Sequence, residues 1–183
     1  MDNSLYEYYS IIRTLKLKKR RGWQDRHLVA DSIAEHMYGA MSIGWKLAMQ
    51  ENSNANHVIE LLLVHDWIMA LIPDLTPSSG KYLEKNTLEE ESKFKIQELL
   101  GKDLGKKYIS LFLEFKTLKT KEAQIAREAD KLETLLQGAM FEKETGKKDI
   151  LDEFLETYAP IFITRTGRKL FLKIKNDHLN KTI

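Results

Sequence analysis

The segment His57-Val-Ile-Glu60-Leu-Leu-Leu-Val64-His65-Asp66-Trp-Ile-Met69-Ala-Leu-Ile72 carries apolar residues on nearly every face of a helix. A helix that is apolar all round lies buried in the middle of a fold, so a central helix is expected over 57–72. Pro73-Asp-Leu-Thr-Pro77 stops it, and Ser78-Ser-Gly80 begins a loop reaching Asn86. Long loops inside compact domains are usually functional. The run from Val58 to Ile72 is interrupted by Glu60, His65 and Asp66 and is too short to cross a bilayer.

Helical spacing continues on both sides. Leu5, Tyr8, Ile11, Ile12 and Leu15 share one face of a first helix over 4–17. Residues 18–27 (Lys-Lys-Arg-Arg-Gly-Trp-Gln-Asp-Arg-His) read as a basic, irregular segment. Ser32-Ile-Ala-Glu35 is a capping box, whose side chains satisfy the free N–H groups of a helix start. It opens a helix through His36, Ala40, Ile43 and Leu47. Thr87-Leu-Glu-Glu90 is a second such box, heading a helix that ends near Gly101. Further helices are expected over 104–118 and 121–144, the latter ended by Gly146. Two shorter ones follow within 150–179, divided near Pro160 or Gly167. No strand-like alternation, repeat or linker interrupts this pattern, which predicts a single all-α domain over 1–183.

Composition narrows the function. The chain has 183 residues, 43% of them hydrophobic and 31% charged, enough for one globular core. Lys and Arg total 29 against 27 Asp and Glu, so a function driven by coating nucleic acid is not expected. The absence of cysteine excludes a disulfide framework, a thiolate zinc site and a cysteine nucleophile, and fits a cytoplasmic protein. The acidic, aromatic N-terminus lacks the basic start of an export signal.

His65-Asp66 stands out chemically, because an ionised carboxylate and an imidazole inside an apolar helix need a partner. His36 lies on the apolar face of its helix beside Ile33, Met37 and Ala40. Asp130 lies between Ala129 and Leu132 in another apolar-periodic helix. Together they offer two imidazoles and two carboxylates, a set that suits one divalent ion such as Mn, Fe, Co, Ni or Zn. The competing reading is ordinary core histidines satisfied by hydrogen bonds.

The order His36 … His65-Asp66 … Asp130 resembles that of HD-domain metal-dependent phosphohydrolases. Arg20-Arg-Gly-Trp23 … Arg26, Ser32-Ile-Ala-Glu-His36-Met-Tyr38, Val64-His-Asp66 … Pro73-Asp74 and Ala129-Asp-Lys-Leu-Glu133 … Gln137 are similar to the branch containing 5'-deoxynucleotidases. The similarity extends over about residues 8–147; the helices of 150–179 lie outside it. It implies a compact helical HD bundle, often homodimeric, with His36, His65, Asp66 and Asp130 as metal ligands. It also implies hydrolysis of the 5'-phosphate of deoxynucleoside monophosphates with an ion such as cobalt or manganese.

Two positions depart from that branch. Met69 stands where a proton-transferring Glu is usual, and Gly22 where an Arg commonly precedes the Trp. Asp66 and Asp74 are then the expected catalytic carboxylates, Asp74 as acid–base, its competing role being a turn residue beside Pro73. Arg20, Arg21 and Arg26 are expected to clamp phosphate, since a guanidinium matches its oxygens bidentately, the alternative being a solvated basic run. Trp23 packs on sugar or base, or is a core aromatic. The alternative functions are hydrolysis of nucleoside di- or triphosphates or another phosphoester, and nucleotide binding with weakened turnover.

Overall fold

The structure, a computed structural model, describes residues 3–72 and 85–181. The elements are α1 (Asn3–Leu17), α2 (Arg21–Gln24), α3 (Ile33–Gln50), α4 (Ala55–Val64), a 3-10 turn (Trp67–Ala70), α5 (Lys85–Thr117), α6 (Lys121–Thr145), α7 (Asp152–Tyr158), a second 3-10 turn (Ala159–Ile161) and α8 (Arg165–Leu179). Among the described residues there is no strand, only an isolated bridge between Lys19 and Ser32. The all-α expectation therefore holds. The chain packs as two compact units, Met1–Glu35 with Val64–Leu113, and His36–Leu63 with Glu114–Ile183.

Most local signals act as the sequence suggests; Thr87-Leu-Glu-Glu90 does not head its helix, because α5 already begins at Lys85. Ser32 N donates to Glu35 Oε2 at 2.5 Å and Glu35 N donates to Ser32 Oγ at 3.1 Å, closing the capping box that starts α3. Gly101 has φ 73°, a conformation that breaks the helical path of α5 into two segments where two helices were expected. Gly146 ends α6 in the left-handed conformation, φ 74°.

Two expectations change and a third is narrowed. The helix over 57–72 is not continuous: α4 ends at Val64, His65-Asp66 form a turn, and the chain tightens into the 3-10 turn. Apolar periodicity does not reveal this, and the carbonyls at the end of the segment are met by a residue distant in sequence. Lys18 Nζ donates to Met69 O at 2.9 Å and to Ile72 O at 2.6 Å. The basic segment is not wholly irregular, since α2 forms within it. In the tail, Pro160 sits at the division between α7 and α8, whereas Gly167 lies in the first turn of α8.

In the first unit, α1 packs on the 3-10 turn. Trp67 stacks on Tyr108 at 5.7 Å between ring centroids and meets Tyr8 edge-on at 5.8 Å. In the second unit, α6 is the core element, with α7 and α8 against it. Gly44 of α3 lies where an added Cβ would touch Leu62, Val58 and Ala129, so α3, α4 and α6 approach closely there. Phe162 and Phe171 stack at 4.7 Å, and both are buried with Ile174, so the apolar face of α8 completes this core.

Two buried acids of α6 organise α8. Glu128 Oε1 accepts from Ile163 N and Thr164 N, each at 2.7 Å, and Oε2 accepts from Thr164 Oγ1 at 2.5 Å. Glu142 Oε2 meets His178 Nδ1 at 2.9 Å, and His178 Nε2 meets Asp152 Oδ1 at 2.7 Å. Burial alone would lower the His178 pKa; hydrogen bonds and charge from Glu142 and Asp152 outweigh it and hold the ring above its ordinary value.

A Cβ at Gly167 would fall 2.0 Å from Glu128 Oε2, and Glu128 is pinned by its three hydrogen bonds. Gly167→Ala should therefore destabilise the chain by about 1–3 kcal/mol, read as a lower urea midpoint; an unchanged midpoint would contradict this packing. The raised His178 pKa stabilises the folded state fully below the ordinary value of 6.5, and that stabilisation is lost as pH rises through the folded pKa. The stability gap between wild type and His178→Gln should accordingly be wide at pH 5.5 and narrow at pH 9, by urea titration at both.

Candidate metal centre

In the second unit, His36 comes from the first turns of α3 and Asp130 and Glu133 from one face of α6. All three are buried. His36 Nδ1 is hydrogen-bonded to Glu133 Oε2, and His36 Nε2 lies 3.3 Å from Asp130 Oδ1. A carboxylate only accepts, so the proton of the Glu133 bond sits on Nδ1. In the neutral ring the Nε2 lone pair then faces a carboxylate oxygen. Two lone pairs at that distance repel unless a proton or a metal cation lies between them. The donor set thus suits a metal ion, with Glu133 fixing the tautomer behind its ligand.

The surroundings of Asp130 fit the same reading. Lys131 Nζ lies 3.0 Å and Arg127 Nη1 3.8 Å from Asp130 Oδ2, placing two cations against that oxygen. Burial by itself would depress Lys131; Asp130 and Tyr158 reverse that and keep it above its ordinary value. Gly39, one turn after His36, makes room for Glu133: an added Cβ would come within 2.9 Å of Glu133 Cγ. Glu133 appears in the sequence motif, but nothing local marks it as the partner of His36, 97 residues away.

In the first unit, the break after α4 places His65 and Asp66 in a turn instead of a helix. His65 is buried and Asp66 half-buried, with His65 Nε2 3.4 Å from Asp66 Oδ2. Asp66 has φ −111° and ψ 10°, and its carbonyl accepts from Met69 N at 2.9 Å. Met69, at the position of the expected Glu, contributes its carbonyl to Lys18.

The arginines are arranged differently from one another. Arg20 Nη1 lies 3.5 Å from Asp31 Oδ2, and its guanidinium sits 5.5 Å above the Trp23 ring. Trp23 is only 1% exposed, so it is a core aromatic beneath Arg20. Arg21 pairs with Asp25 at 3.3 Å on the exposed side of α2. Arg26 Nη1 donates to Gly22 O at 2.9 Å. Asp74 lies outside the described residues.

Known proteins place the chain in context. A family model of the HD domain matches residues 12–170. The 5'-deoxynucleotidase HDDC2 of Danio rerio is 31% identical over 157 residues, covering 84% of this chain and 77% of that protein. The protein of the same name from Dictyostelium discoideum is 29% identical over 189 residues, covering 97% and 99%. A solved structure of a conserved hypothetical protein from Pyrococcus furiosus superposes with a TM-score of 0.72 at 25% identity, over 91% of this chain and 96% of that one. With most of its length matched, and with His36, His65-Asp66 and Asp130 in the motif order, this chain belongs to the HD-domain family.

Proposed function

We propose that the chain is a metal-dependent 5'-nucleotidase that releases inorganic phosphate from deoxynucleoside 5'-monophosphates. One divalent transition ion, cobalt or manganese before iron, nickel or zinc, is held by His36, His65, Asp66 and Asp130. The observation that carries this reading is the His36 Nε2 lone pair turned toward Asp130 with Nδ1 committed to Glu133. Within the first unit, His65 Nε2 and Asp66 Oδ2 lie 3.4 Å apart and supply the other imidazole and carboxylate of the proposed set. The 5'-deoxynucleotidase relatives support the substrate class, and the matched span supports reading 1–183 as one HD domain.

The ion, when bound, supplies Lewis acidity to the phosphoryl oxygen and lowers the pKa of the attacking water. The chain's residues do the rest. Asp66 and Asp130 balance the cation's charge, and Glu133 keeps His36 in the ligating tautomer. Arg20, Arg21 and Arg26 bind phosphate oxygens, with Trp23 setting the position of Arg20 from below. As water attacks phosphorus and the bond to the 5'-oxygen breaks, the leaving oxygen needs a proton, and Asp74 is the carboxyl group assigned to deliver it. Met69 cannot carry a proton and has no part in that transfer.

No helix among the described residues is long and apolar enough to cross a membrane. A cytoplasmic homodimer is the setting proposed for the enzyme. Exposed Tyr38, Trp45 and Met49 on α3 supply apolar surface for its second copy.

Asp66→Ala should abolish phosphate release from a panel of deoxynucleoside monophosphates supplied with Co²⁺ or Mn²⁺. Release by neither wild type nor variant, across all metals, would refute the activity; equal release by both would refute the ligand set. Glu133→Gln retains volume but loses the anionic acceptor behind His36. It should weaken metal affinity by about 10–100-fold, measured by competition with a chelating dye, and unchanged affinity would remove Glu133 from the site.

A further inference from the structure

Away from the proposed metal ligands, the second unit has a basic groove between the last turns of α3 and the first turns of α8. It is about 530 Å³ in volume and is lined by Lys46, Gln50, Arg165, Thr166, Lys169 and Leu170. A second groove of about 660 Å³ runs on from it along α8, sharing Arg165 and Lys169 and adding Arg168 and Lys173. Five cations therefore line one continuous track. Lys46 is ten residues beyond His36 on α3, roughly 15 Å at about 1.5 Å per residue.

The charges along this track are only partly neutralised by the protein itself: hydrogen bonds from Thr166 and, among its smaller causes, the charge of Arg165 hold the Glu51 carboxyl below its ordinary value. Lys173 pairs with Asp177 at 2.5 Å. Among the described residues, Lys46, Arg168 and Lys169 make no ion pair. The first turn of α8 holds no acidic residue, yet Arg165, Arg168 and Lys169 crowd the helix end whose macrodipole is already positive. Cations there cost stability, and an anion offsets the cost. The backbone does not provide the anion site, because Thr164 N and Thr166 N are taken by Glu128 and Glu51. Recognition falls to the side chains, and Lys and Arg are suited to phosphate oxygens.

We infer that this track is a second, non-catalytic site for a compound bearing two or three linked phosphates. A single phosphate would leave part of the row from Arg165 to Lys173 unused, since eight residues of helix span roughly 12 Å. The grooves have the capacity of small-molecule pockets, which are commonly about 300–1,000 Å³. The two grooves are sized for a small oligophosphate, and nucleic-acid binding is left as an outcome of the test. Gln50 and Leu170 add one polar and one apolar contact at the α3 end, where a nucleoside attached to the phosphates would lie. The site is independent of whether the chain hydrolyses nucleotides.

Calorimetric titration of the full chain with inorganic tripolyphosphate, in 150 mM salt without divalent metal, tests the assignment. Binding should be the same in wild type and Asp66→Ala, which separates this site from the proposed metal centre. Lys46→Ala and Lys169→Ala should each weaken it by about tenfold, the loss of one charge-assisted contact, and Lys169→Arg should restore most of it. These residues are exposed, so no loss of melting temperature is expected of the variants, which would show that folding is intact. A parallel titration with dATP distinguishes the sources: tighter binding than tripolyphosphate indicates a nucleoside triphosphate, equal binding the phosphate chain alone. Loss of binding in Asp66→Ala, no effect of the lysine variants, no binding at all, or binding of single-stranded DNA without tripolyphosphate would each overturn the site.

Discussion

A carboxylate taken out of water must be matched by donated protons or by positive charge. α6 buries four of them: Glu128, Asp130, Glu133 and Glu142. Each of their solutions ties α6 to another part of its unit. Glu128 takes the N–H groups that begin α8. Glu142 takes Leu151 N before α7 and His178 near the end of α8. Glu133 takes His36 on α3. Asp130 differs, because its carboxylate meets two cationic side chains and an imidazole. One of its oxygens faces the His36 ring, the arrangement a cation-binding carboxylate requires.

Much of this fold is legible in the sequence because its signals are local. The capping box of α3, the stop at Gly146 and the repeat through Ile125, Ala129, Leu132 and Leu136 depend on residues within a few turns of each other. The break after Val64 is not legible, since the Lys18 ammonium that meets the 3-10 carbonyls comes from the far side of α2 and α3 in sequence. Trp23 illustrates the same limit. Composition and motif do not reveal that the ring is buried beneath Arg20.

The candidate site divides along the same line. The ligand types and their order are visible because buried His and Asp at apolar positions demand partners. The supporting residues are not. Glu35 and Glu133 are both acids in helical registers; one is a local cap lying three residues from its partner, and the other reaches across nearly a hundred. No periodicity separates them. The buried acids Glu128 and Glu142 are invisible for a related reason, as a charged residue on a helix reads as solvated until tertiary contacts show otherwise.

The near-balance of 29 basic and 27 acidic residues also hides how charge is distributed. Four acids of α6 are spent inside the second unit, each taken up at short range by the contacts just described. Among the described residues, Arg168 and Lys169 of α8 make no such pairs, and they stay exposed. A chain with almost no net charge can therefore present a strongly positive face, because its acids are buried and its bases are not. Formal charge counts what a sequence carries; the potential a ligand meets depends on which of those charges the fold has already used.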